Sequence, residues 1–398
     1  MTRPNILWIV ATQWRAQAAG YAGDPNARTP HVDALAARSV NFAQAVTPHP
    51  MGSFARAAMF TGVPCPQNGV RDYFDPLPEI VRTIAHELGT CGFATAFFGK
   101  WHLAKRDPRA PLVGEAHART IVPPARRGGF EFWEGFESGF LLNDPWLHGT
   151  ALPEPKRFSG YQSDILASRF ALWLETRKKS QPIFAVVSFE APHPPYDAPA
   201  ADVPLRDPAT LVLASNVPRG NELETRARRE LAGYYSHLEA TDRAIGRLLA
   251  HADGNWIVVF TSVHGDMHGA HGLFRKAWPH EESVRVPLLV RIPRQTARVD
   301  QSAASLLDLP AMTRGWAEGE ARSSAPQHAR ISMPSIVAVP HQCDRTWRGV
   351  RSRTRKLVLN ADGSPWLFFD LERDPLEMNN LIGDATRAQE IAELARMV

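Results

Sequence analysis

The sequence predicts an α/β fold in which helices flank a mostly parallel sheet, followed by a small C-terminal α+β subdomain. Short apolar runs alternate with amphipathic segments over most of the 398 residues, a pattern typical of parallel strands buried between helical layers. Near the C-terminus, turn residues separate apolar runs, as in antiparallel hairpins. The predicted division is an α/β domain over residues 1–315 and a subdomain with antiparallel strands and a terminal helix over residues 328–398.

The elements of the first domain follow from apolar periodicity. Runs of buried character predict strands over Ile6–Val10, Thr95–Phe98, Ile183–Phe189, Trp256–Thr261 and Val286–Val290. Apolar residues at helical spacing predict helices over Val32–Arg38, Ile80–Leu88, Ile165–Arg177 and Leu223–His251. In such folds ligands bind beyond the carboxyl ends of the strands, so the residues just after each strand are the candidate site residues.

Other segments lack this alternation. Pro108–Pro155, rich in proline, glycine and aromatic residues, is predicted to be an irregular excursion, and Gly315–Gln327 is predicted to be a linker. Beyond the linker, antiparallel strands are predicted over Val350–Val358 and Leu367–Leu371, with a final helix from about Ala385.

The composition is that of a globular protein and argues against several classes. Lys and Arg number 45 against 41 Asp and Glu, and no block of like charges indicates a nucleic-acid-binding surface. Cys65, Cys91 and Cys343 form neither a disulfide framework nor a metal-binding spacing. No apolar run approaches the roughly 20 residues that cross a bilayer, and the N-terminal run is too short for a signal peptide. We therefore expect a cytoplasmic protein that binds neither nucleic acid nor membrane, with its oligomeric state open.

Short motifs along the chain resemble those of a known family. In chain order they are Arg3–Leu7, Gln13–Arg15, Thr29–Ala36, Arg56–Gly62, Gly99–Leu103, Ala191–Pro195, His264–Met267, His271–Lys276, Asp370–Pro375 and Asn379–Leu381. Together they resemble the sulfatase family of the alkaline phosphatase superfamily, collinearly over nearly the whole chain. The resemblance implies an alkaline phosphatase-like fold.

The same resemblance implies a hydrolase that acts on sulfate or phosphonate esters. Family members use a divalent cation, commonly calcium, and a nucleophile at the start of a helix. The nucleophile is a formylglycine made from Cys or Ser, or an unmodified Ser or Thr. The cation balances the charge of the ester, while neighbouring Lys and His bind the anion and protonate the leaving group.

At the position of the family nucleophile this chain carries a glycine. The family motif is Cys/Ser-x-Pro-x-Arg, and matching its Arg to Arg56 places the nucleophile at Gly52 and the proline at Phe54. Glycine has no side chain that could attack or be oxidised. Ser53 is adjacent, but one residue turns a helical side chain by about 100°, away from the ester. We interpret Ser53 as a helix N-cap, with roles as a substrate-binding residue or a nucleophile left open.

The metal-binding carboxylates of the family are also absent. Thr12 stands where the family has an acidic residue and Val263 where an Asp precedes His264, whereas Gln13 keeps a family residue type. Too little negative charge remains to hold a hard dication, so we expect no metal and no other cofactor. Binding of a softer metal by a local histidine-rich run is left open; the run comprises His264, Asp266, His268 and His271.

Cationic and imidazole side chains occupy the family positions that contact the anion. By resemblance, the candidate catalytic residues are His102, His193 and Lys100, and the candidate substrate-binding residues are Arg56, Lys276, Gln13 and Ser53. In the absence of metal-binding carboxylates, we expect these cations to lack balancing negative charge. The site should then be electropositive and should favour a bound anion.

The sequence leaves more than one function open. The first is a repurposed, metal-independent enzyme acting on an anionic sulfate, phosphonate or carboxylate compound, with His102 and His193 as acid and base. The second is a non-catalytic relative that binds an anionic ligand or a partner protein. A conventional sulfuric ester hydrolase, using Ser53 or a water on an unusual metal, ranks below both.

Overall fold

Two β-sheets organise the protein, seen here in a computed structural model that describes residues 3–178, 180–320 and 326–398. Among these residues, ten strands form the first sheet and four form the second. The strands are β1 (Asn5–Ala11), β2 (Val40–Phe42), β3 (Ala94–Lys100), β4 (Phe132–Phe136), β5 (Trp146–Gly149), β6 (Lys156–Arg157), β7 (Ile183–Ser188), β8 (Trp256–Ser262), β9 (Leu288–Arg291), β10 (Arg298–Asp300), β11 (His328–Met333), β12 (Trp347–Ser352), β13 (Arg355–Asn360) and β14 (Pro365–Asp370).

Helices connect the strands and cover the large sheet. They are α1 (Pro30–Ala36), α2 (Gly52–Thr61), α3 (Ile84–Thr90), α4 (Glu115–Ala118), α5 (Gln162–Glu175), α6 (Glu222–His251), α7 (Glu281–Val284), α8 (Leu309–Glu318) and α9 (Ala388–Ala395). The long helix α6 begins at Asn221, whose side chain accepts hydrogen bonds from the backbone N–H groups of Leu223 and Glu224. In the described residues, no helix is both long and apolar enough to cross a membrane.

The centre of the large sheet is parallel. Its strand order is β10-β2-β9-β8-β1-β7-β3-β4-β5-β6, and the run β8-β1-β7-β3-β4 is parallel throughout. Alternate side chains of β1 enter opposite cores: Trp8 packs on the α2 side, whereas Ile9 packs on the α6 side. Because both faces are buried, the central strands read as continuous apolar runs.

The small sheet is antiparallel, in the order β11-β12-β13-β14, and α9 packs against it. It is joined to the large domain by buried polar contacts as well as by apolar ones. The indole nitrogen of Trp347 donates to the Ala277 carbonyl (2.9 Å), and Lys356 Nζ donates to the Pro279 carbonyl (2.9 Å). The loop before α7 therefore lies between the two sheets.

The predicted fold class is confirmed: a large, mostly parallel sheet flanked by helices is followed by a small antiparallel sheet. The division at residues 315 and 328 stays a prediction. The prediction for Pro108–Pro155 is wrong in part, because β4 and β5 lie there and β4 pairs with β3. This strand is short, and the charged Glu134 within it is buried only because Arg169 pairs with it.

Other boundaries also differ from the prediction. The stretch Val350–Val358, predicted to be a strand, contains the turn between β12 and β13. The linker predicted over Gly315–Gln327 starts too early, since α8 continues to Glu318, and residues 321–325 lie outside the described residues. The helix predicted over Ile80–Leu88 begins only at Ile84. Thr83 caps it through a reciprocal hydrogen-bond pair with His86, which fixes the start.

Candidate active site

The candidate site lies at the carboxyl edge of the four central strands. Gln13 follows β1, His102 follows β3, His193 follows β7, and His264 follows β8. Since these strands are neighbours in the order β8-β1-β7-β3, the residues after them converge at one edge. The start of α2, at Gly52, faces the same region, because a Cβ on Gly52 would lie 3.0 Å from His102 Nδ1.

Two imidazoles face the missing side chain of Gly52. A Cβ at this position would lie 3.0 Å from His102 Nδ1 and 3.9 Å from His264 Nε2. Both ring nitrogens are buried and have no hydrogen-bond partner. Each unpaired buried polar atom is costly unless a ligand or water satisfies it.

The hydrogen-bond network assigns a donor and an acceptor to this pair. Arg106 Nη1 donates to His102 Nε2 (2.8 Å), so the His102 proton resides on Nδ1. His264 Nδ1 donates to the Gly265 carbonyl (2.8 Å), which leaves a free lone pair on Nε2. Burial, together with the charges of Arg106 and Lys100, holds the pKa of His102 well below its usual range. Burial and the charge of Lys276 do the same to the pKa of His264. Both rings are therefore neutral.

Arg56 lies beneath the site and is fully buried. Its guanidinium donates to the Lys100 carbonyl (2.9 Å) and Ser188 Oγ (2.7 Å) through Nη1, and to Thr12 Oγ1 (2.9 Å) through Nη2. These bonds tie α2 to the ends of β1, β3 and β7. Burial lowers the pKa of Arg56 to about 10, with Glu190 and Glu137 opposing the shift.

Lys100 is paired with a carboxylate. Its Nζ lies 2.5 Å from Glu190 Oε1 and 4.5 Å from the centre of the Phe140 ring. Burial lowers the pKa of Lys100 to about 8, although Glu190 raises it. The second oxygen of Glu190 is buried and has no hydrogen-bond partner. The ion pair between Lys100 and Glu190 is therefore buried at the site, and neither charged group is exposed to solvent.

Lys276 joins Gln13 to His193. Its Nζ donates to Gln13 Oε1 and to His193 Nε2 (3.0 Å). His193 Nδ1 donates to the Pro194 carbonyl (2.8 Å), and its ring stacks on Phe140 with centroids 4.3 Å apart. Burial lowers the pKa of Lys276 to about 7, with Asp266 opposing the shift. Lys276 thus changes charge near neutral pH.

Asp266 holds the other side of Gln13. Its Oδ2 accepts from Gln13 Nε2 (2.5 Å) and the Tyr196 hydroxyl (2.7 Å), and its Oδ1 accepts from two backbone N–H groups. Burial alone would raise the pKa of this carboxyl, but the charges of His268 and Arg275 hold it well below its usual range. Asp266 is therefore ionised and fully hydrogen-bonded.

A cavity of about 250 Å³ opens beside Lys276 and His193. Apart from these two residues, Arg275 and Gln342, its walls are mainly aromatic and aliphatic; they include Met51, Tyr73, Leu112, Phe140, Val337 and Val339. Such a shape accommodates a small ligand with an apolar portion, oriented by few polar groups.

Comparison with known proteins identifies the family. The sulfatase family model matches residues 4–319. An ulvan-active sulfatase of Formosa agariphila is 34% identical, covering 96% of this chain and 78% of that protein. An arylsulfatase of Clostridium perfringens is 25% identical, covering 100% and 94%. The solved structure of yidJ from Bacteroides fragilis superposes with a TM-score of 0.83 at 24% identity, covering 99% and 94%. The chain belongs to the sulfatase family.

The divalent cation of sulfatases does not fit the residues at this site. Thr12 Oγ1 donates to the Phe189 carbonyl and accepts from Arg56, and Gln13 Oε1 accepts from Lys276. Val263 offers no ligand atom, which leaves His264 Nε2 as the one free donor among the four family positions. A hard dication prefers several oxygen ligands, preferably charged.

The expectation that the cations of this sulfatase-family site lack balancing carboxylates is wrong, whereas its net positive character stays a prediction. Lys100 pairs with Glu190, and Arg106 Nε lies 3.4 Å from Glu137 Oε1. Both carboxylates lie within two residues of a strand end, Glu190 after β7 and Glu137 after β4, so position after a strand was the signal that could have revealed them. Glu137 was missed because β4 lies in the stretch predicted to be irregular.

The other predicted site residues have mixed outcomes. Lys276 contacts both Gln13 and His193, and Arg56 contacts the backbone of Lys100. Ser53 is not the N-cap of α2, a position held by Met51; its hydroxyl is buried without a partner. The catalytic and substrate-binding roles of all these residues stay predictions.

The histidine-rich run does not converge on one point. His268 packs against Tyr234, with ring centroids 4.2 Å apart, and His264 faces Gly52. Within the described ranges, His271 alone of the run belongs to a group of three potential ligand side chains, and its partners are Glu282 and Glu377. The run as a whole is therefore not a single metal site.

Proposed function

We propose that this sulfatase-family protein hydrolyses a small sulfate-class ester without a dication, using water in the space beside Gly52 as the nucleophile. The observation that carries the proposal is the pair of unpartnered ring nitrogens, His102 Nδ1–H and His264 Nε2, on either side of that space. One donates and one accepts, which is the pairing that a single water molecule satisfies.

In the proposed reaction the water oxygen attacks the ester sulfur. The proton of the water passes to His264 Nε2, an oxygen–sulfur bond forms, and the bond from sulfur to the leaving oxygen breaks. His264 is a weak base in the empty site because its pKa is held low. An anionic ester close to the ring would raise that pKa, so the base strengthens when the substrate binds.

Charge compensation in this scheme comes from side chains. Lys276 lines the cavity, and its Nζ, held by Gln13 and His193, would contact the sulfate oxygens. Its pKa of about 7 also suits it to protonate the leaving oxygen. Lys100 adds positive charge close by, while Glu190 limits the excess.

The shape of the cavity and the similarity to known hydrolases together favour a small ester with an apolar leaving group. The lining is mainly aromatic and aliphatic, and the volume of about 250 Å³ suits a compact molecule. An arylsulfatase is among the relatives, which supports aryl sulfates as first substrates to test. A phosphonate monoester hydrolase shares the fold with a TM-score of 0.75, and phosphonate esters are the second class to test.

The test is turnover of nitrophenyl sulfate and nitrophenyl phenylphosphonate, in the presence and absence of a chelator. We expect product formation that a chelator does not reduce, with oxygen from labelled water appearing in the sulfate. His264→Gln and Lys276→Ala should each abolish turnover, whereas the exposed control Lys105→Ala should not change it. Turnover that requires calcium or magnesium would contradict the proposal.

A non-catalytic anion-binding function is the second candidate. It is favoured by the glycine at position 52 and by the low pKa values of His102 and His264, which make both rings poor bases in the empty site. Under this alternative, calorimetry would detect sulfate or aryl sulfate binding that Lys276→Ala weakens, while none of the esters is hydrolysed.

A further inference from the structure

A second polar cluster is buried between the large domain and the small sheet. One ligand atom each of His271, Glu282 and Glu377 lies within 4.8 Å of the other two. His271 lies in the turn after β8, Glu282 in α7, and Glu377 after β14. None of them lines the cavity beside Lys276, so the cluster is separate from the candidate active site.

Unsatisfied oxygens distinguish this cluster from an ordinary group of acidic residues. Glu282 and Asn216 are each 3% exposed, yet Glu282 Oε2 and Asn216 Oδ1 have no hydrogen-bond partner. Asn216 Nδ2 donates to Glu282 Oε1 (2.7 Å) and lies 3.3 Å from His271 Nε2, which places the amide beside the other side chains. Buried oxygens of this kind require a ligand, an ion or water.

The local charges leave one carboxylate without a cation. Lys356 Nζ lies 2.6 Å from Glu377 Oε1 and 2.8 Å from Glu281 Oε1, and Arg351 Nη2 pairs with Glu281 Oε2 (2.8 Å). Within the described part of the chain, Glu282 has no ion pair. A buried, unpaired carboxylate is strongly unfavourable, so a cation next to Glu282 would stabilise the folded protein.

We propose that His271, Glu282 and Glu377 bind one divalent transition-metal ion of the zinc class. One imidazole and two carboxylates form a ligand set that suits zinc better than calcium or magnesium. Ligand atoms around a tetrahedral zinc are about 3.4 Å apart, so the cluster must close slightly on binding. The Glu282 carboxylate can move toward the ion because its Oε2 has no bond to break.

The ion would act as a structural link. Its ligands come from the turn after β8, from α7 and from the segment that follows the small sheet. Binding to the folded state alone would therefore stabilise the junction between the two sheets. This inference does not depend on the proposed hydrolysis, and the ester-binding cavity is left unchanged.

The experiment is titration of zinc chloride into the metal-stripped full chain, followed by calorimetry and thermal unfolding. We expect one ion per chain and a rise in the unfolding temperature, with cobalt(II) giving an absorption band typical of tetrahedral coordination. Glu282→Gln keeps the size of the side chain, and His271→Asn tolerates the positive φ of 56° at this position. Each should weaken binding by at least about tenfold, the loss seen when even outer-shell partners are changed.

Matched controls separate this cluster from other binding. Glu372→Gln and His251→Gln change exposed residues of the same types and should bind zinc as the wild type does. His264→Gln, at the candidate active site, should also keep the zinc affinity. The inference is overturned if the wild type binds no zinc or cobalt, or if Glu282→Gln and His271→Asn bind as tightly as the wild type.

Discussion

Replacing Gly52 by alanine tests whether the space beside it holds the reacting water. The new Cβ would lie 3.0 Å from His102 Nδ1, 3.3 Å from His102 Cε1 and 3.9 Å from His264 Nε2. A methyl group there occupies the position from which a water would bridge the two rings. The substitution removes no charge and no existing hydrogen bond, so it isolates the role of the space.

The structural cost of this substitution is small compared with its expected effect on catalysis. The His102 ring must move by a few tenths of an ångström, and overpacking of this kind costs about 1–3 kcal/mol. Alanine gains up to about 1 kcal/mol over glycine in a helix, so the free energy of unfolding should fall by about 0–2 kcal/mol. General base catalysis contributes about 10²–10⁴-fold, so kcat should fall by at least about 100-fold.

The assay compares kcat on nitrophenyl sulfate with sulfate affinity and thermal unfolding for the same variant. We expect turnover to be lost while Lys276 still binds sulfate. Gly315→Ala is the control, because it lies in α8, where the nearest atom to a new Cβ is 3.7 Å away. Unchanged turnover in Gly52→Ala would refute the idea that water reacts from this space.

Three further predictions concern charge at the two buried sites. Anion affinity should fall as pH rises through about 7, because burial lowers the pKa of Lys276 to that value and only the protonated side chain attracts an anion. In calorimetry, Lys276→Ala should remove this pH dependence. In a Glu282→Gln background, which disables the proposed zinc cluster, calcium titration should give no heat; one equivalent bound would contradict the poor fit of a hard dication at the active site. Lys356→Met should lower the free energy of unfolding by about 3–5 kcal/mol in denaturant, since Glu281 and Glu377 lose their shared cation, while the exposed Lys105→Met should have little effect.

The fold was readable from the sequence because the central strands are buried on both faces. The apolar runs of β1, β7 and β8 were predicted to within about two residues, since no polar residue interrupts them. Strands at the sides of the sheet were missed. β2 and β10 have three residues each, and β4 contains Glu134, so their pairing depends on distant partners that no local pattern records.

The residues of the site could be predicted from the sequence, but the hydrogen bonds and ion pairs between them could not. The resemblance to the sulfatase motifs identified Gln13, Lys100 and Lys276. It could not show that Lys100 pairs with Glu190 or that Lys276 bonds to Gln13, because these contacts join residues 90 and 263 positions apart. The sequence also did not indicate the orientation of side chains. His271 adopts a positive φ and lies with Glu282 and Glu377, away from the candidate active site.

These hydrogen bonds give a physical reason why the positive charge of the site comes from side chains and not from a dication. A dication requires oxygen atoms with free lone pairs, but the side chains of Arg56 and Lys276 already donate to Thr12 Oγ1 and Gln13 Oε1. Two singly charged side chains carry at most the charge of one dication and spread it over two positions, while Glu190 and Asp266 balance part of it. A weaker electrostatic field stabilises the transition state less. Any hydrolysis at this site should therefore be slower than that of metal-dependent relatives, and it should depend more strongly on Lys276 than on any other single cation.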